Sequence, residues 1–135
     1  MIVDTSALVS ILKQEVGFDR VLRALLHGGA RIATPTLVET RIVVGSYLGT
    51  PGRRRLEALL TQAEVEVVPF DPVHADAAAA AYRDFGKGSG HPARLNLADV
   101  FSYALASVEN EPLLYVGDDF SRTDIRSALE EYGED

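Results

Sequence analysis

Residues 1–12 read Met1-Ile2-Val3-Asp4-Thr5-Ser6-Ala7-Leu8-Val9-Ser10-Ile11-Leu12, and this stretch decides the fold. Met1, Ile2 and Val3 make a short apolar run. Asp4, Thr5 and Ser6 are types that cap helix N-termini, and Leu8, Ile11 and Leu12 then recur at helical spacing. The stretch predicts a buried strand that passes directly into a helix, with a carboxylate at the junction.

The same alternation continues outward. Val21, Leu22, Leu25 and Leu26 mark a helix closing at Gly28-Gly29, and Arg31 to Thr34 reads as a short strand. Pro35 permits a helix start, and Leu37, Val38, Ile42, Val43 and Leu48 carry that helix to about Gly49. A Thr50-Pro51-Gly52 turn and a polar-faced helix through Leu56, Leu59 and Leu60 follow. Glu64 to Phe70 has strand character, Asp71-Pro72 opens an alanine-rich helix ending near Phe85, and Gly86 to Pro92 is a loop by composition. Asn96 caps a helix with Leu97, Val100, Phe101, Ala104, Leu105 and Val108 on its apolar positions. Leu113 to Val116 is a further strand, stopped by Gly117-Asp118-Asp119. One more short strand or helix is expected after Thr123, then an acidic, mobile tail from about residue 128. Strands separated by helices predict an α/β sandwich whose parallel sheet is covered on both faces.

A chain of 135 residues suffices for one domain with a core of its own. It has no Cys, which excludes thiolate-bound metals, iron–sulfur clusters, a catalytic thiol and disulfides. The alanine run Ala77 to Ala81 falls far short of the ~18 apolar residues of a membrane span, and the N-terminus has no signal-like segment, so a cytoplasmic location is expected. The net charge of −7 at first argues against a nucleic-acid partner. Its distribution changes that: residues 1–108 carry 11 acidic and 11 basic side chains, and residues 109–135 hold the whole imbalance. Arg53-Arg54-Arg55 is a basic run whose simplest reading is a solvated face.

In open parallel sheets, sites lie beyond the carboxyl ends of the strands. Asp4 follows the first strand, and Asp118 and Asp119 follow the Leu113 strand. Asp99 lies in the first turn of the helix preceding that strand, and Glu39 interrupts an apolar stripe between Val38 and Ile42. Singly, each has a structural explanation: Asp4 as an N-cap, Asp99 in a capping box with Asn96, Asp118 in a turn, Glu39 paired with Arg41 or Arg31. Gathered on one edge, four carboxylates repel one another and call for a compensating cation. Oxygen donors without Cys select Mg²⁺ or Mn²⁺, ions that activate water and neutralise charge on a phosphodiester.

Four segments in order resemble one family: Met1 to Ala7, Thr36-Leu37-Val38-Glu39, Leu97 to Ala106, and Leu113 to Phe120 continuing through Thr123-Asp124-Ile125. Together they resemble the PIN-domain ribonucleases, specifically the VapC-type toxins of bacterial toxin–antitoxin pairs, across essentially the whole chain. The resemblance implies a single PIN-like domain over residues 1–135, a three-layer α/β/α sandwich with a central, mainly parallel sheet. It implies a Mg²⁺- or Mn²⁺-dependent endoribonuclease whose catalytic and metal-binding residues are Asp4, Glu39, Asp99 and a fourth acid. Family members keep an acid before Phe, which corresponds to Asp119, with Asp118 as the adjacent alternative. The hydroxyl of Thr5 or Ser6 is expected to orient Asp4 or a metal-bound water, and Asn96 to do the same for Asp99. The resemblance also implies attack by metal-activated water on the phosphodiester, leaving a 5′-phosphate. The resemblance further implies structured RNA (tRNA or rRNA) as substrate, a homodimer, and a cognate VapB-type antitoxin that enters the acidic groove with a basic segment. Lys87, His91 and Arg94, in a glycine-rich loop, are candidate RNA contacts; the same loop also reads as a plain connector.

Two rivals remain distinguishable. A phosphatase of the haloacid-dehalogenase class needs a second Asp two residues after the first, where Ser6 stands. A catalytically silent PIN-like module that binds RNA or protein has no reason to keep four acids that repel phosphate. His27, His74 and His91 are isolated and carry no catalytic assignment, and Tyr103 reads as core.

Overall fold

The computed structural model describes residues 1–133. Four short strands form its sheet: β1 (Ile2–Val3), β2 (Arg31–Ala33), β3 (Glu66–Val68) and β4 (Leu113–Leu114). They run in the order β3-β2-β1-β4, and every neighbouring pair is parallel. The helices are α1 (Thr5–Leu12), α2 (Phe18–Leu25), α3 (Thr34–Gln62), α4 (Pro72–Phe85), α5 (Leu97–Glu109) and α6 (Ala128–Tyr132).

Strand side chains alternate between faces, and that alternation divides the core in two. Val3, Ile32 and Leu114 point into one cluster with Leu8, Leu25, Leu37 and Leu56 from α1, α2 and α3. Ile2, Ala33 and Leu113 point the other way, onto Ala78, Ala81, Val100 and Leu105 from α4 and α5. The central strands are therefore apolar on both faces, and the result is the expected three-layer α/β/α sandwich with a wholly parallel sheet. Among the described residues no helix is long and apolar enough to cross a membrane.

Three details depart from the sequence reading. The helix to Gly49 and the helix after it are one element, α3, broken at Gly49, whose φ of 64° and ψ of −160° suit only glycine. Its halves fold back on each other as a hairpin, clasped by Arg41 and Glu57 at 2.6 Å. The last strand stops at Leu114 rather than Val116, because the Val116 amide donates to Ser6 Oγ at 3.0 Å instead of to a ladder partner. The segment expected as a mobile tail forms α6 over residues 128–132, capped by Ser127, with Ala128 fully buried and Leu129 and Tyr132 packed on the first core cluster. Burial of these side chains outweighs the segment's acidity. Residues 134–135 of that expected tail lie outside the described residues.

At the sheet edge opposite the site, the N-terminal ammonium donates to Glu111 at 2.8 Å and to the Gly29 carbonyl at 3.2 Å. Arg31 also pairs with Glu111, and these charges hold that carboxyl below its usual range despite partial burial.

Candidate active site

The site forms where β1 and β4 end side by side. Val3 pairs with Leu114, and the Asp4 amide donates to the Leu114 carbonyl at 3.0 Å, so Asp4 leaves the sheet against the segment that carries Asp118 and Asp119. Asp4 is the N-cap of α1 and is only 4% exposed. Its Oδ2 accepts from the Ser6 amide at 3.0 Å, and its Oδ1 accepts from the Ser102 hydroxyl at 2.7 Å. The cap geometry that starts the helix thus also fixes the carboxylate.

Glu39 reaches the same edge from α3, where it accepts a hydrogen bond from Thr5 Oγ1. Thr5 Oγ1 lies 2.8 Å from Thr40 Oγ1, Thr40 donates to the Thr36 carbonyl at 2.8 Å, and Thr36 Oγ1 lies 3.2 Å from Ser102 Oγ. Four buried hydroxyl side chains from α1, α3 and α5 therefore link Asp4 to Glu39. Asp99 enters from the first turn of α5, where it forms a reciprocal capping box with Asn96: each side chain accepts from the other's amide at 2.9 Å. Asp99 Oδ1 has no hydrogen-bond partner among the described residues.

The electrostatics show which acids share the pocket. Asp99 is pushed up to about 6, first by burial, partly offset by the Asn96 amide, with the charges of Asp4, Asp119 and Glu39 adding to the rise. Glu39 is also raised, first by burial, against the Thr5 hydrogen bond and with help from Asp4. Asp119 thus acts on the pocket whereas Asp118 is not among the charges felt there; both are exposed, and the Asp118 carbonyl accepts from Ser121. No cation compensates this cluster: Arg41 is engaged by Glu57 and Arg31 by Glu111, and among the described residues none of the four acids has an ion-pair partner.

The donors are all oxygen and all hard, a set suited to Mg²⁺ or Mn²⁺ rather than to a soft metal. Among the described residues no three acidic or histidine side chains already stand close enough together to grip an ion.

The sequence model of one family, the PIN domain, matches residues 1–126, which span every acid of this pocket. The chain belongs to the PIN-domain family. Its similar proteins include ribonuclease VapC42 of Mycobacterium tuberculosis, 46% identical over 129 residues that make up 95% of this chain and 98% of that one. Among solved structures, the chain resembles Mycobacterium tuberculosis VapC20, described as a sarcin-ricin loop cleaving toxin, with a TM-score of 0.70 at 18% identity over 92% of this chain and 95% of that one. It also resembles VapBC2 from Rickettsia felis, described as bound to a DNA fragment from their promoter, with a TM-score of 0.71 at 17% identity over 93% of this chain and 94% of that one. At these identities the two structures speak for the fold.

Within this PIN domain the supporting residues differ from expectation. The Thr5 hydroxyl serves Glu39 rather than Asp4, and the Ser6 hydroxyl accepts from Val116 while its amide, not its hydroxyl, holds Asp4. Asn96 does hold Asp99, through its backbone amide. Ser102, which sequence reasoning passed over, is the side chain that donates to Asp4. The available signal was a polar residue one helical turn after Asp99 in an otherwise apolar run.

In the loop before α5, Lys87 and Arg94 are exposed. His91 is used internally: its Nδ1 accepts from the Ala93 amide at 3.0 Å and its ring meets Phe85 edge-on at 4.8 Å. His74 caps α4, His27 stacks on Tyr132, and Tyr103 is core, donating its hydroxyl to Asp124.

Proposed function

We propose that this PIN domain is a Mg²⁺- or Mn²⁺-dependent endoribonuclease, the toxin of a cytoplasmic toxin–antitoxin pair, acting on structured RNA such as tRNA or rRNA as a homodimer restrained by a VapB-type antitoxin. The observation that carries the reading is the convergence at one sheet edge of Asp4 and Glu39, joined through buried hydroxyls, with Asp99, on which the charges of Asp4, Asp119 and Glu39 act, and with no compensating cation among the described residues. The names of the similar proteins support RNA cleavage and an antitoxin partner.

Asp4, Glu39 and Asp99 would hold the ion, with Asp119 at the exposed rim. When bound, a divalent ion lowers the pKa of water and neutralises charge on phosphoryl oxygens. The chain's own part is preorganisation. Ser102 and the Ser6 amide fix both oxygens of Asp4, each of which keeps a lone pair for a ligand. Thr5 fixes one oxygen of Glu39, and the Asn96 amide fixes Asp99 Oδ2 while leaving Oδ1 available. Without a cation the pocket repels phosphate, and the same charge makes it receptive to an arginine offered by a basic antitoxin segment.

The test is cleavage of total RNA by the purified chain, with 5′ ends mapped. The reading expects cleavage with Mg²⁺ or Mn²⁺, none in chelator, and loss in Asp4→Asn and Asp99→Asn variants that remain folded. Full cleavage in chelator, or by both variants, contradicts it. RNA binding without cleavage under every metal condition points to the silent-module alternative.

A further inference from the structure

The arginine triplet Arg53-Arg54-Arg55 has no part in the pocket, yet it lies on the same helix as Glu39. Of the charged residues on α3, Arg41 and Glu57 neutralise each other, and Glu39 faces the site. The three remaining cations are all exposed. Arg53 donates to Thr50 Oγ1 at 2.8 Å, and among the described residues neither Arg54 nor Arg55 has an ion-pair or hydrogen-bond partner. An acidic chain thus concentrates uncompensated positive charge on the hairpin that also supplies a site residue.

A second feature sits on that hairpin. Tyr47 is 72% exposed, and Lys13, from the end of α1, lies over its ring at 5.2 Å from the centroid. A ring this open has a face left for another planar partner. Gly45 shapes the same region: a Cβ there would stand 2.9 Å from Arg53 Nη1, so the missing side chain lets the guanidinium lie across the first half of α3. Helix α1 touches α3 at both ends of this tract, Thr5 against Glu39 and Lys13 against Tyr47. Tyr47 follows Glu39 by eight residues, about 12 Å along a helix. That is the span of about three to four stacked nucleotides at ~3.4 Å each.

We propose that the α3 hairpin is an RNA-holding arm, on which Tyr47 stacks a base of a single-stranded segment while Lys13, Arg53, Arg54 and Arg55 contact its phosphates beside the acidic pocket. The assignment rests on the nuclease reading. An open aromatic ring with a cation against it, and further exposed cations on the same hairpin, is the chemistry of sequence-tolerant single-strand binding. It also answers the difficulty that the pocket itself repels the polyanion it is to cleave, because attraction is supplied a few nucleotides away.

The experiment measures binding of a fluorescein-labelled 12-nucleotide single-stranded RNA to the full chain in chelator, where cleavage is absent, across a salt series. Expected is a dissociation constant raised about tenfold by Tyr47→Ala, with Tyr47→Phe near the unaltered chain because the stacking face survives. The Arg54→Ala/Arg55→Ala double variant should flatten the slope of log K against log salt by about 1.4, the value for two phosphate contacts on a single strand. Mn²⁺ binding should stay unchanged in all three variants, and Arg83→Ala, on α4, serves as the control.

If the unaltered chain cleaves RNA but these variants bind it equally well with the same slope, the arm is refuted and the nuclease reading stands. If the variants lose affinity for poly-glutamate while keeping RNA affinity, the surface docks acidic protein and the proposal is wrong. If the unaltered chain neither binds nor cleaves RNA, both readings fall.

Discussion

Replacing Asp99 by Asn should stabilise the metal-free protein, although it removes a residue assigned to the site. In the fold the Asp99 carboxyl is pushed up to about 6 from its ordinary 3.8. The folded state therefore favours the proton, and ionising the group at neutral pH costs stability. A rise of about two units corresponds to ~3 kcal/mol at ~1.36 kcal/mol per unit; solvent screens part of this at a half-buried side chain, leaving about 2 kcal/mol. Asn keeps the capping box, since its side-chain oxygen still accepts from the Asn96 amide and the reverse bond uses backbone. With ~2.1 cal/mol/K of unfolding entropy per residue, relief of about 2 kcal/mol raises Tm by roughly 7 °C.

The sign with pH is equally specific. The Asp99 contribution is fully favourable below 3.8 and is lost as pH rises through about 6, so the advantage of Asp99→Asn should be large at pH 7.5 and fade towards pH 4. The assay is thermal or urea unfolding of both proteins in chelator between pH 4 and 8, repeated with Mn²⁺. The ion should stabilise the unaltered chain and close or reverse the gap. A variant no more stable than the parent in chelator at pH 7.5, or a gap independent of pH, refutes the argument that burial, reinforced by neighbouring carboxylates, disfavours the charged form of Asp99.

Ser102→Ala leaves Asp4 Oδ1 without its buried donor and should cost about 1–3 kcal/mol in urea unfolding and about tenfold in Mn²⁺ affinity by calorimetry. Glu111→Gln should cost about 1 kcal/mol at pH 7, where the lowered carboxyl pairs with the N-terminus and Arg31. That difference should shrink as pH falls through the lowered folded value, as followed by denaturation across a pH series downward from 7. Gly49→Ala forces a side chain into a glycine-only conformation at the hairpin break and should lower stability by about 1–3 kcal/mol, read as a shift in the urea midpoint.

The framework was legible because local and global signals agree in this chain. A strand such as Ile2-Val3, apolar on both faces and followed at once by a capping Asp, announces both a covered parallel sheet and a carboxylate at its edge. The Asn96–Asp99 spacing announces a helix start, and the structure shows the capping box that the spacing predicts. What stayed hidden depends on contacts between segments remote in sequence. Ser102, Thr36 and Thr40 look like neutral interruptions of apolar helices until α1, α3 and α5 converge and their hydroxyls connect. The choice between Thr5 and Ser6 turned on which neighbour each hydroxyl meets, Glu39 for one and the Val116 amide for the other. Helix α6 was hidden by its acidity, since only contact with the remote segments α2 and β4 makes burial of Ala128 worthwhile.

The most direct measurement is a calorimetric titration of the purified chain with Mn²⁺, alongside Asp4→Asn, Glu39→Gln and Asp99→Asn, with Asp71→Asn, which caps α4 away from the pocket, as reference. The account predicts saturable binding by the parent and by Asp71→Asn, and its loss or at least tenfold weakening in each of the other three. Equal affinity in all five proteins, or no binding by the parent, would contradict it.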